Sequence, residues 1–120
     1  MRVIALDTTT RAGSVALVED GRVIDERTGD ASRTHAERLP AEIIALADAH
    51  HLALSDVDLY AVASGPGSFT GLRIGIATMQ GLAIVHRRRI VAISALEALA
   101  HLQSADGPAG TVIAAWMDAH

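Results

Sequence analysis

Two segments of the chain carry residue types whose spacing bears on chemistry. The first is Asp7-Thr8-Thr9-Thr10, a carboxylate and three hydroxyls at the end of an apolar run. The second runs Ala63-Ser64-Gly65-Pro66-Gly67-Ser68-Phe69-Thr70-Gly71-Leu72-Arg73-Ile74-Gly75. There the apolar stretch Leu59 to Ala63 meets a Gly-Pro-Gly turn, and a helical pattern follows at once. A helix starting at such a turn points unpaired N–H groups and its positive dipole end into the loop. The junction can therefore hold an anion or a backbone edge. A P-loop needs Gly, four residues, then Gly-Lys-Ser/Thr. The chain has no Lys; all 10 Lys-or-Arg residues are Arg. The dinucleotide fingerprint needs Gly-x-Gly-x-x-Gly, and Gly65, Gly67 and Gly71 are spaced too widely for it. Neither phosphate mechanism fits as written. A purely structural turn with Ser68 as N-cap stands beside the anion reading. Asp7 has a similar plain reading, a carboxylate that caps the strand end and bonds the Thr-rich turn.

The elements that must position these segments follow from periodicity. Val3 to Leu6 reads as a buried strand. Ser14–Val18 and Val23–Asp25 flank Glu19-Asp20-Gly21-Arg22, whose Asp-Gly is a hairpin signal. Thr34-His35-Ala36-Glu37 has capping-box spacing, and Leu39, Ile43, Leu46 and Ala47 recur at helical period to about His51. Pro40 falls in the second turn of that helix, near the limit of what a helix tolerates. Val57 to Ala63 reads as a fourth strand, Ser68 to about Val85 as a second helix, and Ile90 to Ile93 as a fifth strand. Ser94-Ala95-Leu96-Glu97 is a second capping box, opening a short helix to about Leu102. A Gly/Pro loop over Ser104–Gly110 and a strand over Thr111–Met117 complete the pattern. The order β-β-β-α-β-α-β-α-β predicts an α/β fold, a mixed sheet flanked by helices.

Composition narrows the function classes. At 120 residues the chain fits one domain, or part of a larger one. It is half hydrophobic but only 2% aromatic, so its core is small and aliphatic. A net charge of -4 argues against autonomous nucleic-acid binding, which leaves a basic footprint. With no Cys, disulfides, Cys-zinc sites and thiol catalysis are excluded. The N-terminal apolar run is too short for a secretory signal, and no run approaches a membrane span, so a cytoplasmic protein is expected.

Placed in this order, the motifs resemble the TsaB family of bacterial tRNA threonylcarbamoyladenosine biosynthesis proteins. That family belongs to the actin/sugar-kinase/Hsp70 superfamily and was once called M22 glycoprotease-like. The resemblance rests on Ile4-Ala5-Leu6-Asp7-Thr8-Thr9, Gly13-Ser14-Val15-Ala16-Leu17, His35-Ala36-Glu37-Arg38-Leu39-Pro40 and Leu54-Ser55-Asp56-Val57-Asp58. It also rests on the Gly65–Gly75 run, its most specific part, and on Ser94-Ala95-Leu96-Glu97-Ala98-Leu99-Ala100. It implies an RNase H-like mixed sheet equal to one half of an actin-like two-domain protein. The expected second domain would then be missing after about residue 117. It also implies a non-catalytic subunit that supports TsaD, the catalytic relative that modifies tRNA, with the ATPase TsaE joining the pair. Contact with tRNA is expected only within that complex. Pairing in the family is thought to use the two helices, and a homodimer through the same helices is the other pairing it allows. The interface candidates are Leu39, Ile43, Phe69, Leu72, Arg73 and Ile76. The catalytic relative carries two metal-binding His at the start of the helix after the fifth strand. Those positions fall here on Ala95 and Leu99, which lack a lone pair, so no metal site is expected.

The resemblance also gives Asp7 and Thr8 a second reading, since superfamily kinases hold a phosphate- and metal-facing carboxylate there. No catalytic residue and no cofactor is expected. Gly71, Gly75 and Ala77 thin one side of the second helix, for a partner or for the chain's own sheet. Arg73 could meet a partner carboxylate, or pair with Asp58 or Glu37. Arg87-Arg88-Arg89 follows a helix end, where cations complement the dipole. The six His have no helical metal spacing and read as structural or exposed. Two other classes remain open: an ATP-using enzyme or M22-type peptidase, and a self-associating module with no tRNA role.

Overall fold

A computed structural model describes residues 1–98. The expected loop over 104–110, the strand over 111–117, and the positions Leu99 and His101 lie outside the described residues. The elements are β1 (Arg2–Asp7), β2 (Ser14–Glu19), β3 (Arg22–Thr28), α1 (His35–Ala49), β4 (Leu59–Gly65), α2 (Phe69–His86) and β5 (Arg89–Ser94). They form one mixed sheet in the order β3-β2-β1-β4-β5. β1 pairs antiparallel with β2 and parallel with β4, and β4 pairs parallel with β5.

Local chemistry explains each boundary. The β2–β3 hairpin turns on Asp20 and Gly21, at φ 51° and 79°, the pair of positive φ values that a tight two-residue turn requires. Thr34 Oγ1 accepts from the Glu37 amide at 3.3 Å and starts α1. Pro40 lies inside α1 without ending it. β4 begins at Leu59 rather than Val57, because Leu54–Asp56 form a 3-10 turn that Tyr60 pins through its hydroxyl to the Leu54 carbonyl at 2.9 Å. Burial pushes that hydroxyl above its ordinary 10.0. β3 starts one residue before the expected Val23–Asp25 and ends three residues after it, at Arg22 and Thr28, since the hairpin ladder continues wherever a partner amide exists.

Alternation along the strands sorts the side chains onto two faces. Ile4, Leu6, Val15, Leu17, Tyr60 and Val62 meet Leu39, Ile43, Leu46, Met79 and Ala83 in one core cluster, so α1 and α2 cover the same face. Fully burying a Leu or Ile contributes about 1.5–3 kcal/mol, which makes this layer the main source of stability. The opposite face carries Val3, Ala5, Ala16 and Ala61, with residues 95–98, which are helical, beside its carboxyl end.

The strand–loop–helix junction and a candidate interaction surface

The Gly-Pro-Gly turn brings the start of α2 against the end of β1. The Gly65–Pro66 bond is cis, and Gly65 has φ 112°, which side-chain-bearing residues rarely adopt. Ser68 caps α2, its Oγ accepting from the Gly71 amide at 3.3 Å. The Ser68 amide itself donates to the Thr9 carbonyl at 3.2 Å. A Cβ on Gly67 would stand 2.6 Å from the Thr9 Cβ, so the turn is filled by the chain's own Thr9. The junction holds a backbone edge, the second of the two uses its dipole allows, and leaves no cradle for a phosphate at Gly67.

Asp7 is committed in the same way. Its Oδ1 accepts from the Thr9 amide at 2.8 Å and from the Thr9 hydroxyl at 2.6 Å. That is the strand-end cap, an Asx-type turn. Thr8 is fully buried beneath α2, and its Oγ1 has no hydrogen-bond partner. Gly71 and Gly75 are the reason α2 can approach: a Cβ on either would overlap the Thr8 carbonyl or hydroxyl. The thin side of α2 therefore packs on its own sheet over Gly71 and Gly75, while Ala77 stays exposed.

A buried polar cluster beside this turn had no sequence signal beyond two ordinary helix-start residues, His35 and Arg38. Arg38 is 3% exposed. Its guanidinium donates to the carbonyls of Arg33 at 3.2 Å, Ala12 at 2.7 Å and Arg11, and pairs with Glu42 at 2.8 Å. The His35 Nε2 lies 2.9 Å from the Thr10 carbonyl and must donate to it. His35 Nδ1 then accepts from Arg38 Nη2 at 3.1 Å.

The interface candidates separate into two groups. Leu39 and Ile43 are each 2% exposed and belong to the core; their stripe is the one α1 buries against its own sheet. They are not available on the outer face, where Ile44, half exposed, stands instead. Leu72 and Ile76 are half-buried. Phe69 is 71% exposed, with the Arg73 guanidinium over its ring at 5.5 Å from the centroid. Arg73 thus pairs with neither Asp58 nor Glu37; Asp58 accepts from the Arg2 amide and Glu37 pairs with Arg33. Farther along α2, Ile84 and Val85 are more than 70% exposed. Pro40 and Ile44 of α1 and Ala77, Gly81 and Val85 of α2 line a shallow apolar groove between the helices.

The basic run closes α2. Arg87 takes a left-handed conformation at the C-cap, and Arg88 donates to the Ser55 carbonyl at 2.9 Å. Ala95, at the first position where the resemblance places a metal ligand, is buried and has no donor atom. Among the described residues no group of three His, Asp or Glu stands close enough to hold a metal ion. Among the described residues no helix is long and apolar enough to cross a membrane.

The sheet order, the two helices on one face and the β1 turn define an α/β domain of the actin-like, RNase H-like kind, and solved structures agree. YeaZ from Pseudomonas aeruginosa superposes with a TM-score of 0.77 at 41% identity, over 88% of this chain and 48% of that one. The family model described as TsaD: tRNA N6-adenosine threonylcarbamoyltransferase matches residues 27–119. The chain belongs to that family, and within it is TsaB-like. The tRNA threonylcarbamoyladenosine biosynthesis protein TsaB of Escherichia coli is 38% identical over 100 residues, 83% of this chain and 43% of that protein. Its Haemophilus influenzae counterpart is 39% identical over 117 residues, 96% and 48% respectively. The chain spans about half the length of the curated relatives it matches.

Proposed function

We propose that the chain acts in tRNA threonylcarbamoyladenosine biosynthesis, as a non-catalytic subunit that pairs with a TsaD-type catalytic relative. The observation that carries this reading is the unspent apolar surface of α2. Phe69, Ile84 and Val85 stand exposed on it, and the α1–α2 groove opens beside Val85. Large apolar side chains left exposed at both ends of one helix are surface that a partner can cover. A relative of the same fold would present matching helices, and the pair would close as a bundle of four. The non-catalytic part of the reading is supported by the Asp7 oxygen already held by Thr9 and by the donorless Ala95. An ATPase of the TsaE kind would join the pair, tRNA would be met only by the assembled complex, and the cytoplasm is where that tRNA is found.

Size-exclusion chromatography with light scattering, on the chain alone and with the catalytic relative from the same organism, tests this. A one-to-one complex is expected, with affinity lowered at least about tenfold by Phe69→Ala combined with Val85→Asp. A homodimer that the relative cannot displace would sink the reading and favour self-association through the same helices.

A further inference from the structure

We infer that Arg38 and His35 bind the Thr8–Gly13 turn to the first turns of α1 as one local unit, so that an event on α1 is transmitted to the Asp7 end of the sheet. The turn has few ties of its own to the strands. Asp7 holds only Thr9, and the Thr10 hydroxyl accepts from the Gly13 amide at 3.2 Å. The Thr9 carbonyl accepts from the Ser68 amide and the Gly13 carbonyl from the Gly29 amide, and the remaining bonds of the turn's carbonyls run sideways. Those of Thr10, Arg11 and Ala12 all go to His35 or Arg38. Arg38 also reaches the Arg33 carbonyl, and a Cβ on Gly29 would overlap its guanidinium, so the segment entering α1 is threaded through the same hub. The His35 ring is wedged between Gly13 and Gly71, where added Cβ atoms would stand 2.9 Å and 3.3 Å from it. Three chain segments thus converge on two side chains of a single helical turn.

Only a guanidinium can do this. Its donors lie in a fixed fork and address several carbonyls at once, whereas an ammonium is a point charge that reaches fewer. Arg38 is therefore a positioning residue, and Arg38→Lys should loosen the unit while keeping the charge and the Glu42 pair. Transmission toward a partner rests on the pairing reading above; the local unit does not.

Hydrogen exchange by mass spectrometry on the full chain reads both. In Arg38→Lys, amides of residues 9–13 and 30–35 should exchange at least about tenfold faster, the equivalent of one lost charge-assisted hydrogen bond. Amides of β1, β4 and α2 should keep their rates. An unchanged turn, or an acceleration spread evenly over the sheet, would overturn the local unit. If Arg38→Lys does not fold, Glu42→Ala removes one partner of the hub and leaves the core intact. It should give the same pattern at smaller size, and a uniform rise overturns the inference there too. Adding the catalytic relative should then slow exchange of residues 9–13 in the wild-type chain but not in Arg38→Lys. A relative that binds and protects α1 and α2 while the turn is unaffected overturns the transmission alone. A relative that does not bind overturns the pairing reading and the transmission with it, and leaves the local result standing.

Discussion

α1 and α2 lie side by side on one face of the sheet, yet they are held there by different means. α1 buries one stripe, Leu39, Ile43, Leu46 and Ala47, and exposes Glu37 and Asp48 among small residues such as Ala36, Ala41, Ala45 and Ala49, with Ile44 its one large exposed apolar side chain. Its ends are tied by side chains, Arg38 and His35 near the start and His50 at the C-cap. α2 is apolar nearly all round. It buries Gly71, Gly75, Met79 and Ala83, a stripe of mostly small residues, and leaves Phe69, Ile84 and Val85 outside. A helix in this state is either deep in a larger core or waiting for a neighbour. The contrast teaches that α1 serves the domain's own fold, while α2 carries more apolar surface than that fold can cover.

The largest effect should separate the two helices by stability alone. Leu46→Ala, at a fully buried position of α1, should cost about 2–5 kcal/mol in urea unfolding. Ile84→Ala, on the outer face of α2, should change stability by no more than about 0.5 kcal/mol. If Ile84→Ala destabilised the isolated chain as much as Leu46→Ala, the surface of α2 would belong to the core and the comparison would collapse.

Two glycines of α2 sharpen the point with opposite signs. Gly75→Ala drives a methyl into the Thr8 side chain and should cost about 1–3 kcal/mol. Thr8→Ala in the same chain should return part of that loss, because the two positions share one contact. Gly81→Ala meets nothing within 4 Å and should stabilise the helix by about 0.5–1 kcal/mol. If the groove beside Gly81 receives a partner helix closely, the same substitution should weaken pairing while raising the unfolding midpoint. Stabilisation with undiminished affinity would place the partner elsewhere on α2.

How much of this was legible in the sequence differs between the helices for a physical reason. Period and capping residues located α1, α2 and the five strands of the described residues, because those signals are local. The Asp7 turn and the Ser68 cap were legible too, since each is completed within a few residues. The stripe Leu39–Ile43 was visible as apolar, but periodicity says only that something covers a stripe, and here it is the chain's own sheet. Ile44, one residue on, is the exposed one. The Arg38–His35 hub was not legible, because its acceptors are backbone carbonyls about 25 residues away, and carbonyls have no sequence identity.

The polar tie at the far end of α1 supplies the smallest effect, and its sign follows from linkage. His50 Nε2 lies 2.9 Å from Asp25 Oδ2 of β3. The hydrogen bond from His50, helped by Arg27, holds the Asp25 carboxyl below its ordinary 3.8. A carboxyl with a lowered folded-state pKa contributes stability that is present above the unfolded value and lost as pH falls through the folded one. The unfolding midpoint should therefore drop as pH is taken from about 5 to below the unfolded pKa near 3.8, and Asp25→Asn should flatten part of that slope. The pair is partly exposed, so the change should be small and should shrink further in salt. Ile84→Ala should leave the acid slope untouched, since α2 has no carboxylate at all. An Asp25→Asn chain with the full wild-type slope would mean that α1 is not held through His50. Its tie to the sheet would then be the Arg38 end and the buried stripe alone.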